Sequence, residues 1–400
     1  MRVALVICTL QMGGMETVLK SLGTFFLNNG HEVEFVEAES RGVWSSYFHS
    51  LGFPVRTIPL TWYKSKIKHS KAIADVLNQY DVVMLNDVPY AQASLGLLDS
   101  RIIVIPIIHL DMPSFIANAA GNRGQWSKVV AVSPLLKERF LNNTDCDTKT
   151  IEYIANGVDV SGHWPKKDVE LNTTDPMKVV FSGRVENRQK GANLLPDIVK
   201  AVNATGAKIQ LNIIGDGPDL KSLREAFGNY GIANVSFYGS LTHNEALKVL
   251  GKNDVLIMPS FFEGMPISLL EAMANGLVPL VSNLPGSTDL IVQNKINGYL
   301  IQPGNVEGFV TAICAVEQNR TKLKEMSRLA WESIKKDFSS ERMGKAYLQL
   351  IASITCEKNS SSVSIRSRTV DVSLLGDLPS LPFFLVRPVR KIIKILRAGK

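Results

Sequence analysis

Cysteine is scarce in this chain, and long apolar runs are missing. Cys8, Cys146, Cys314 and Cys356 are scattered over 400 residues, with no CxxC pair and no metal-ligand spacing. That excludes a disulfide framework or a zinc ribbon and fits free thiols in a reducing compartment. The apolar run at the N-terminus, Val3 to Leu10, is too short to span a bilayer. No small-residue cleavage site follows it, so it reads as a first strand and the protein as cytoplasmic, not secreted. Acid is absent from Phe383 to Lys400, where Arg387, Arg390, Lys391, Lys394, Arg397 and Lys400 supply most of the formal net charge of +7. The body is then near neutral, with no basic stripe carrying interleaved aromatics, which argues against nucleic acid as a partner.

A hydrophobic content of 45% and a charged content of 20% describe a globular chain long enough for two domains with their own cores. Strand and helix patterns alternate, the mark of doubly wound α/β architecture. Strands are expected at Val3–Cys8, Glu32–Glu37, Val55–Ile58, Val82–Leu85, Ile102–Ile107 and Val129–Val132. A second set is expected at Lys178–Ser182, Gln210–Ile214, Val235–Tyr238, Val255–Met258, Pro279–Val281 and Gly298–Ile301. A helix over Glu16–Asn28 ends at Asn29-Gly30, and a long one runs from Ser340 to about Ile354. The irregular stretch Gly162 to Pro176 is the best linker candidate. The expected plan is therefore a first domain over 1–165, a linker at 166–176 and a second domain over 177–338. A helix over 339–356 and a polar linker with a basic tail over 357–400 complete it.

The most informative segment is Phe262-Glu263-Gly264-Met265-Pro266-Ile267-Ser268-Leu269-Leu270-Glu271. It follows Asp254 to Pro259, a buried parallel strand by its pattern. Pro266 suits a first helical turn, and Ile267, Leu270 and Ala274 recur at helical spacing. The N–H groups of Gly264, Met265, Ile267 and Ser268 would then face the crevice at the strand's carboxyl end, where phosphate is welcome. Glu263 sits at the lip to meet hydroxyls, and Glu271, a turn deeper, can reach another hydroxyl-bearing ring. The layout suits one diphosphate with a sugar on each side.

Other places carry related chemistry. In Phe181-Ser182-Gly183-Arg184-Val185-Glu186-Asn187-Arg188-Gln189-Lys190-Gly191, Arg184 and Lys190 can converge across a loop on a single diphosphate and neutralise charge on a leaving group. Gln11-Met12-Gly13-Gly14-Met15-Glu16 joins the first strand to the first helix; Gly13 and Gly14 let a backbone approach a ligand, or simply make a tight turn. Ile214-Gly215-Asp216-Gly217-Pro218 and Tyr238-Gly239-Ser240-Leu241 are turns after strands, open to a binding or a structural role. His109 stands at the end of the apolar pattern that begins at Ile102, with Asp111 close by to orient it or to meet an acceptor hydroxyl. His31, His49, His69, His163 and His243 have no such setting and read as structural or surface residues. Asp145-Cys146-Asp147 has the Asp-x-Asp form of a metal site but lies in a polar loop with no strand before it, so no metal is assigned.

Taken together these segments resemble the retaining glycosyltransferases of family 4, from residue 1 to about 355. That resemblance implies an α/β GT-B fold, two doubly wound Rossmann-like domains facing a deep cleft, with a C-terminal helix crossing back to the first. It implies that Glu263 binds hydroxyls of the transferred sugar and Glu271 the nucleotide ribose. Arg184 and Lys190 are the family's cation pair on the diphosphate. Gly13 and Gly14 lie over the diphosphate, Gly183 precedes Arg184, and Gly215, Tyr238, Gly239 and Leu241 border the base. His109 stands near the sugar's C6 hydroxyl and anomeric carbon. The catalytic set is thus His109, Glu263, Arg184 and Lys190. The donor is a nucleotide diphosphate sugar, uridine ahead of guanosine, with no metal or other cofactor required. Retention would proceed by front-face return, because no carboxylate is placed beneath C1 as in two-carboxylate glycosidases.

In the tail, Val389, Ile392, Ile393 and Leu396 form one apolar stripe among cations, the pattern of a helix lying on an anionic membrane. A packed C-terminal helix or a solvated tail would read the same way. The expected function is sugar transfer to a glycan or lipid-linked acceptor on the inner membrane face, in cell-surface polysaccharide or glycoconjugate synthesis. Acceptor choice falls to first-domain loops, for which Ser40–Tyr47 and Thr61–Ser70 are candidates. The alternatives are another GT-B enzyme, such as a nucleotide-sugar epimerase, and a non-catalytic membrane-associated protein of the same fold.

Overall fold

The computed structural model describes residues 1–166, 175–360, 366–376 and 379–382. The described chain forms two compact units, Met1–Ile154 with Gly344–Lys400, and Ala155–Met343. The first is built on β1 (Arg2–Ile7), β2 (Glu32–Glu37), β3 (Val55–Thr57), β4 (Val82–Asn86), β5 (Ile103–Ile108), β6 (Val129–Ala131) and β7 (Ile151–Tyr153). All are parallel, in the order β3-β2-β1-β4-β5-β6-β7. The second holds β8 (Met177–Ser182), β9 (Ile209–Ile214), β10 (Val235–Gly239), β11 (Val255–Met258), β12 (Val278–Ser282) and β13 (Tyr299–Ile301), in the order β10-β9-β8-β11-β12-β13. In each sheet the strand order reverses beside its own first strand, at β1/β4 and at β8/β11, which is where doubly wound folds bind ligands.

The strands read as apolar runs because both faces of each sheet are covered. Val3 to Val6, Val82 to Met84 and Val104 to Ile105 are fully buried in the first unit. In the second, Val179, Phe181, Leu211, Ile213, Val255 and Leu280 join Ile198, Phe309 and Ile313 from the helices in one core. Each sheet also carries a proline inside an interior strand, Pro106 and Pro279. The N–H groups of Ile103 and Val278 face the inner neighbour, bonding Asp81 O and Asp254 O. Pro106, three residues after Ile103, and Pro279, the next after Val278, lie at odd offsets and so face outward, and outer pairing begins only at Ile107 and Leu280. The missing donors therefore interrupt no ladder.

Some boundaries differ from the expectation. β7 has no forecast counterpart; it is three residues long with only Ile151 buried, too short to show a period. Residues 155–166 lie with the second unit rather than the first. Val158 N–H donates to Phe338 O (2.9 Å), Trp164 Nε1 to Ser327 Oγ (3.2 Å), and Lys166 Nζ to Gly251 O and Asn253 O (2.9 and 2.7 Å). Of the expected linker, 167–174 lie outside the described residues. The last long helix, Ser340–Ser360, runs past the forecast end, and from Gly344 on it groups with the first unit. There Lys358 Nζ donates to Ser100 O and Ile102 O, and burial lowers its pKa to about 8.

The chain after that helix is not only a linker and tail. Residues 366–376 and 379–382 cross the first unit as a strap. Arg368 N–H donates to Gly96 O and Asp371 N–H to Ala93 O (2.8 Å each). Lys66 Nζ bonds Leu375 O, Ile67 N–H donates to Pro379 O, and Ser65 bridges Pro382. The forecast amphipathic stretch 383–400 lies outside the described residues.

Candidate functional site

In the second unit, β8, β9 and β10 end on glycines with positive φ: Gly183 (+153°), Gly215 (+128°) and Gly239 (+66°). A Cβ on Gly215 would sit 1.9 Å from Gly183 O, so only glycine allows the two turns to touch. The turns are stitched by Gly183 N–H to Ile214 O, Gly215 N–H to Gly239 O and Val185 N–H to Asp216 O. Together they make a floor of backbone at the carboxyl ends of three strands. Tyr238 is exposed beside it and Leu241 half-buried.

Above that floor the short helix Asn187–Lys190 closes on Gly191 (φ +62°), whose missing Cβ lets it meet Pro259 O after β11. Phe261 N–H donates to Gln189 O (2.7 Å), joining this loop to the one that carries Glu263. Lys190 Nζ therefore lands 2.7 Å from Glu263 Oε1, with side chains only 16% and 4% exposed. Ser260 Oγ donates to the same oxygen (2.8 Å), and Gln189 Nε2 approaches Oε2 (3.4 Å). Lys190 does not converge with Arg184 on a shared partner within the protein. Arg184 is exposed, and among the described residues none pairs with it. Arg188 is exposed as well.

Pro266 is not a first helical residue. With ψ at 109° it is the extended N-cap of the helix Ile267–Ala274, because the chain must turn out of β11's loop first. Gly264, Met265, Pro266 and Ile267 are buried, and Ser268 is half-buried. No described residue accepts from the N–H groups of Gly264, Met265, Ile267 or Ser268. The Met265 side chain packs inward, where its sulfur accepts from Asn156 N–H (3.1 Å). Glu271, one turn on, lies 3.4 Å from His243 Nδ1.

His243 reads as structural or surface in the sequence, and the fold instead places it against Glu271. It opens the helix His243–Leu250, fixed by a Thr242/Glu245 capping box just past β10. The readable signal is that box, which begins at the residue after the turn Tyr238–Leu241 and places the imidazole at a strand's carboxyl end.

In the first unit, Gly13 caps the helix Gly14–Asn28 with φ −170°, an ordinary extended conformation. A Cβ there would lie 2.8 Å from Glu16 Oε2, the movable end of that side chain. Glu16 folds back over the helix start, buried, and accepts from Gln11 N–H (3.1 Å). Burial raises its pKa, partly offset by the backbone N–H groups that bond it. Gly14 remains exposed. This helix start thus already holds a carboxylate of its own.

His109 follows β5, half-buried, its Nε2 2.8 Å from Asn86 Oδ1 at the end of β4. Asn86 Nδ2 donates to Val6 O (3.0 Å), which fixes the amide with its oxygen toward the imidazole. Nε2 must then carry the proton and Nδ1 the lone pair. Burial drives the His109 pKa down to about 4, so the ring is neutral at pH 7. Asp111 does not orient it; it pairs with Arg139 (3.7 Å) in an exposed, weak contact. Asp147 of the Asp-x-Asp string caps the turn Thr148–Thr150. Among the described residues no three His, Cys, Asp or Glu side chains gather as a metal would need.

Residues 163–332 match the family model described as Glycosyl transferases group 1, and residues 12–161 the one described as Glycosyltransferase Family 4. The chain is 25% identical over 320 residues to the lipopolysaccharide 1,6-galactosyltransferase of Escherichia coli strain K12, covering 75% of this chain and 84% of that protein. It is 26% identical over 226 residues to an uncharacterized glycosyltransferase of Methanocaldococcus jannaschii, 56% of this chain, and spans 57% of that relative's length. Among solved structures, Anabaena HepE in complex with UDP superposes with a TM-score of 0.72 at 16% identity, over 88% of this chain and all of that one. A glycosyltransferase from Rickettsia africae gives 0.71 at 16%, over 90% and 99%. At such identities the likeness is one of fold.

Proposed function

From the premise that this chain belongs to the group 1 and family 4 glycosyltransferases, with their GT-B fold, we propose that it moves a sugar from a nucleotide diphosphate sugar to a glycan or lipid-linked acceptor, with retention. The buried Lys190–Glu263 pair beside the open N–H groups of Gly264 to Ser268 carries this reading. A diphosphate there takes Lys190, Arg184 and the N–H groups as partners. Glu263, released from Lys190, accepts from hydroxyls of the transferred sugar, and Glu271 accepts from the ribose. His109, through its Nδ1 lone pair, accepts from a sugar hydroxyl.

The anomeric C–O bond breaks toward the diphosphate, leaving an oxocarbenium-like carbon. The cations and N–H groups stabilise the charge that gathers on the departing oxygen. That oxygen takes the proton of the acceptor hydroxyl as the new bond forms on the same face. A uridine donor is favoured by likeness to HepE, which has been solved with UDP and with UDP-glucose. Cell-surface polysaccharide or glycoconjugate synthesis is favoured by likeness to the lipopolysaccharide galactosyltransferase and to the galactosyltransferase acting on GlcNAc-diphosphoundecaprenol. A lipid-linked acceptor puts the protein at the inner membrane face, with the basic stretch 383–400 as one contact.

A thermal-shift screen of UDP- and GDP-sugars tests the donor site. A ligand at a hundred times its Kd adds about 2.7 kcal/mol to stability. A protein whose melting is unmoved by every such donor at millimolar concentration would sink the reading.

A further inference from the structure

The strap over the first unit lies beyond residues 12–161 and 163–332, the parts matched by the family models. It is thinly held. Among its described residues only Leu375 is buried, and Arg368 sits at φ +57°, an uncommon conformation for a residue with a side chain. A segment with so little buried surface belongs to the least stable part of a fold. The body is nevertheless shaped to receive it. A Cβ on Gly96 would lie 2.1 Å from Ser367 Oγ and 2.5 Å from Thr369 O, so only glycine lets the strap come so close. Leu374 rests on a second glycine, Gly121, at the end of the helix Pro113–Ala120.

One part of the strap completes a helix start. In the helix Lys66–Leu77, Ser65 Oγ accepts from Lys68 N–H (3.3 Å). The N–H of Ile67, in the first turn and without a partner in its own helix, goes to Pro379 O (3.3 Å). Ser65 itself bridges Pro382, and Lys66 Nζ bonds Leu375 O. Three consecutive residues of the stretch Thr61–Ser70 are thereby tied down. The other part clips two helices behind His109. Asp371 N–H donates to Ala93 O (2.8 Å) in the helix Pro89–Ser94, and Leu374 covers the end of Pro113–Ala120. Gln92 Nε2 joins the same two helices through Gly121 O (2.7 Å), and Asn118 Nδ2 donates to Asp87 Oδ1 (2.9 Å). Asp87, at φ +53°, follows directly on Asn86, the amide that holds His109. Bonds and chain thus run without a break from the strap to the imidazole.

We propose that the strap positions the acceptor end of the protein. Seated, it fixes both the stretch Thr61–Ser70 and the helices that steady Asn86 and His109. Lifted, it frees the two together and leaves the proposed diphosphate site of the second unit as it was. Its thin hold makes it a control point, since a small shift in the seated population moves both places at once. A loose end resting on a rigid body would leave both unmoved. A run of bonds is not by itself coupling, so the deciding observation is whether Ile67 and His109 respond to the strap. That this end serves the acceptor rests on the proposed reaction; that the strap holds it does not.

Two full-length variants unseat the strap from opposite sides. Gly96→Ala blocks the seat, and the atoms nearest its added methyl all belong to the strap. Leu375→Asp spoils the buried side chain, and Leu375→Met is the conservative control. Amide exchange, the NMR titration of His109 and the thermal shift on adding UDP are followed in each. In Gly96→Ala and Leu375→Asp the amides of Arg368 and Asp371 should lose protection, and Ile67 should exchange at least roughly 10-fold faster. His109, whose pKa burial holds at about 4, should titrate higher, toward 6.5, as water reaches the ring. Leu375→Met should match wild type, and no variant should alter the UDP shift. A strap that leaves while Ile67 and His109 stay as in wild type would overturn the proposal. So would a strap that stays seated in both variants, or a response at only one of the two places. If Leu375→Asp fails to fold, Gly96→Ala decides alone. A lost UDP shift in a variant with wild-type melting would carry the strap's effect to the donor end and overturn its restriction to the acceptor end. No UDP shift in any form, wild type included, would instead remove the transferase reading and leave the coupling standing.

Discussion

At the carboxyl end of β11 a lysine and a glutamate sit 2.7 Å apart beside open backbone N–H groups. At the carboxyl ends of β4 and β5 in the other unit, an asparagine holds a histidine that burial keeps neutral. The strand order of the two sheets is the same around β1/β4 and β8/β11, yet one end is built for charge and the other against it. Even the first helix start of the first unit is filled by its own Glu16. Topology thus fixes where a site can be, and the side chains fix what it can take. On the proposed reaction, the diphosphate would be taken by the second unit and uncharged hydroxyls by the first.

The largest break in that contrast should come from Lys190→Ala. Glu263 would be left buried with its main counter-charge gone, a change worth about 3–5 kcal/mol in other buried pairs. The denaturation midpoint should fall steeply, and turnover should drop by ~10²-fold or more. Adding Glu263→Gln should restore much of the stability and none of the turnover. Equal midpoints for wild type and Lys190→Ala would mean that water already screens the pair.

The uncharged side of the contrast can be tested by pH. His109 has a folded pKa of about 4 against 6.5 for a free imidazole, so the unfolded chain binds its proton first. The preference for the neutral ring is fully present above pH 6.5 and is lost as pH falls toward 4. By linkage that costs up to about 3 kcal/mol of stability over the window. His109→Gln should flatten this part of the curve, read as the difference between urea midpoints at pH 7 and pH 5. Asn86→Asp should raise the His109 pKa, visible by NMR titration, since a carboxylate would then face Nε2. An unaltered slope in His109→Gln would mean that the ring is solvated, and the neutral-pocket argument would fail.

Much of this contrast was legible in the sequence on one side only. Glu263, Lys190 and the glycine turns fall within a few residues of strand ends, so local pattern located them. The Lys190–Glu263 bond could not be read, because it spans 73 residues and depends on Gly191 packing against Pro259 O. Asn86 was missed for the same reason: its role comes from β4 and β5 being neighbours. Asp111 misled because nearness in sequence to His109 is not nearness in space after a strand ends. The strap at 366–376 and 379–382 carries no period and is held in part by backbone bonds, which composition does not announce.

Arg184→Ala sharpens the contrast within the charged end. Arg184 is exposed and none of the described residues pairs with it, so its loss should leave the midpoint within ±0.5 kcal/mol of wild type. Turnover should still fall by ~10²-fold if the guanidinium meets only the departing diphosphate. Lys190 and Arg184 would then differ in stability and agree in rate. Near-normal turnover would shift the role to Arg188, the other exposed cation of the loop.

The smallest effects are expected where nucleotide sugar and protein carboxylate meet. Glu271→Ala removes charge-assisted hydrogen bonds to a ribose and should weaken UDP binding by ~1.5–3 kcal/mol. His243→Ala should weaken it less, by no more than ~1 kcal/mol, because His243 acts only by steadying Glu271 from 3.4 Å away. In the double variant the His243 effect should vanish, since nothing is left for it to position. Calorimetry with UDP measures all three. A His243 effect that survives the loss of Glu271 would mean the imidazole touches the nucleotide itself. That result would make the helix start after β10 a direct contact, and the charged end of the molecule would be one residue larger than its sequence motifs suggest.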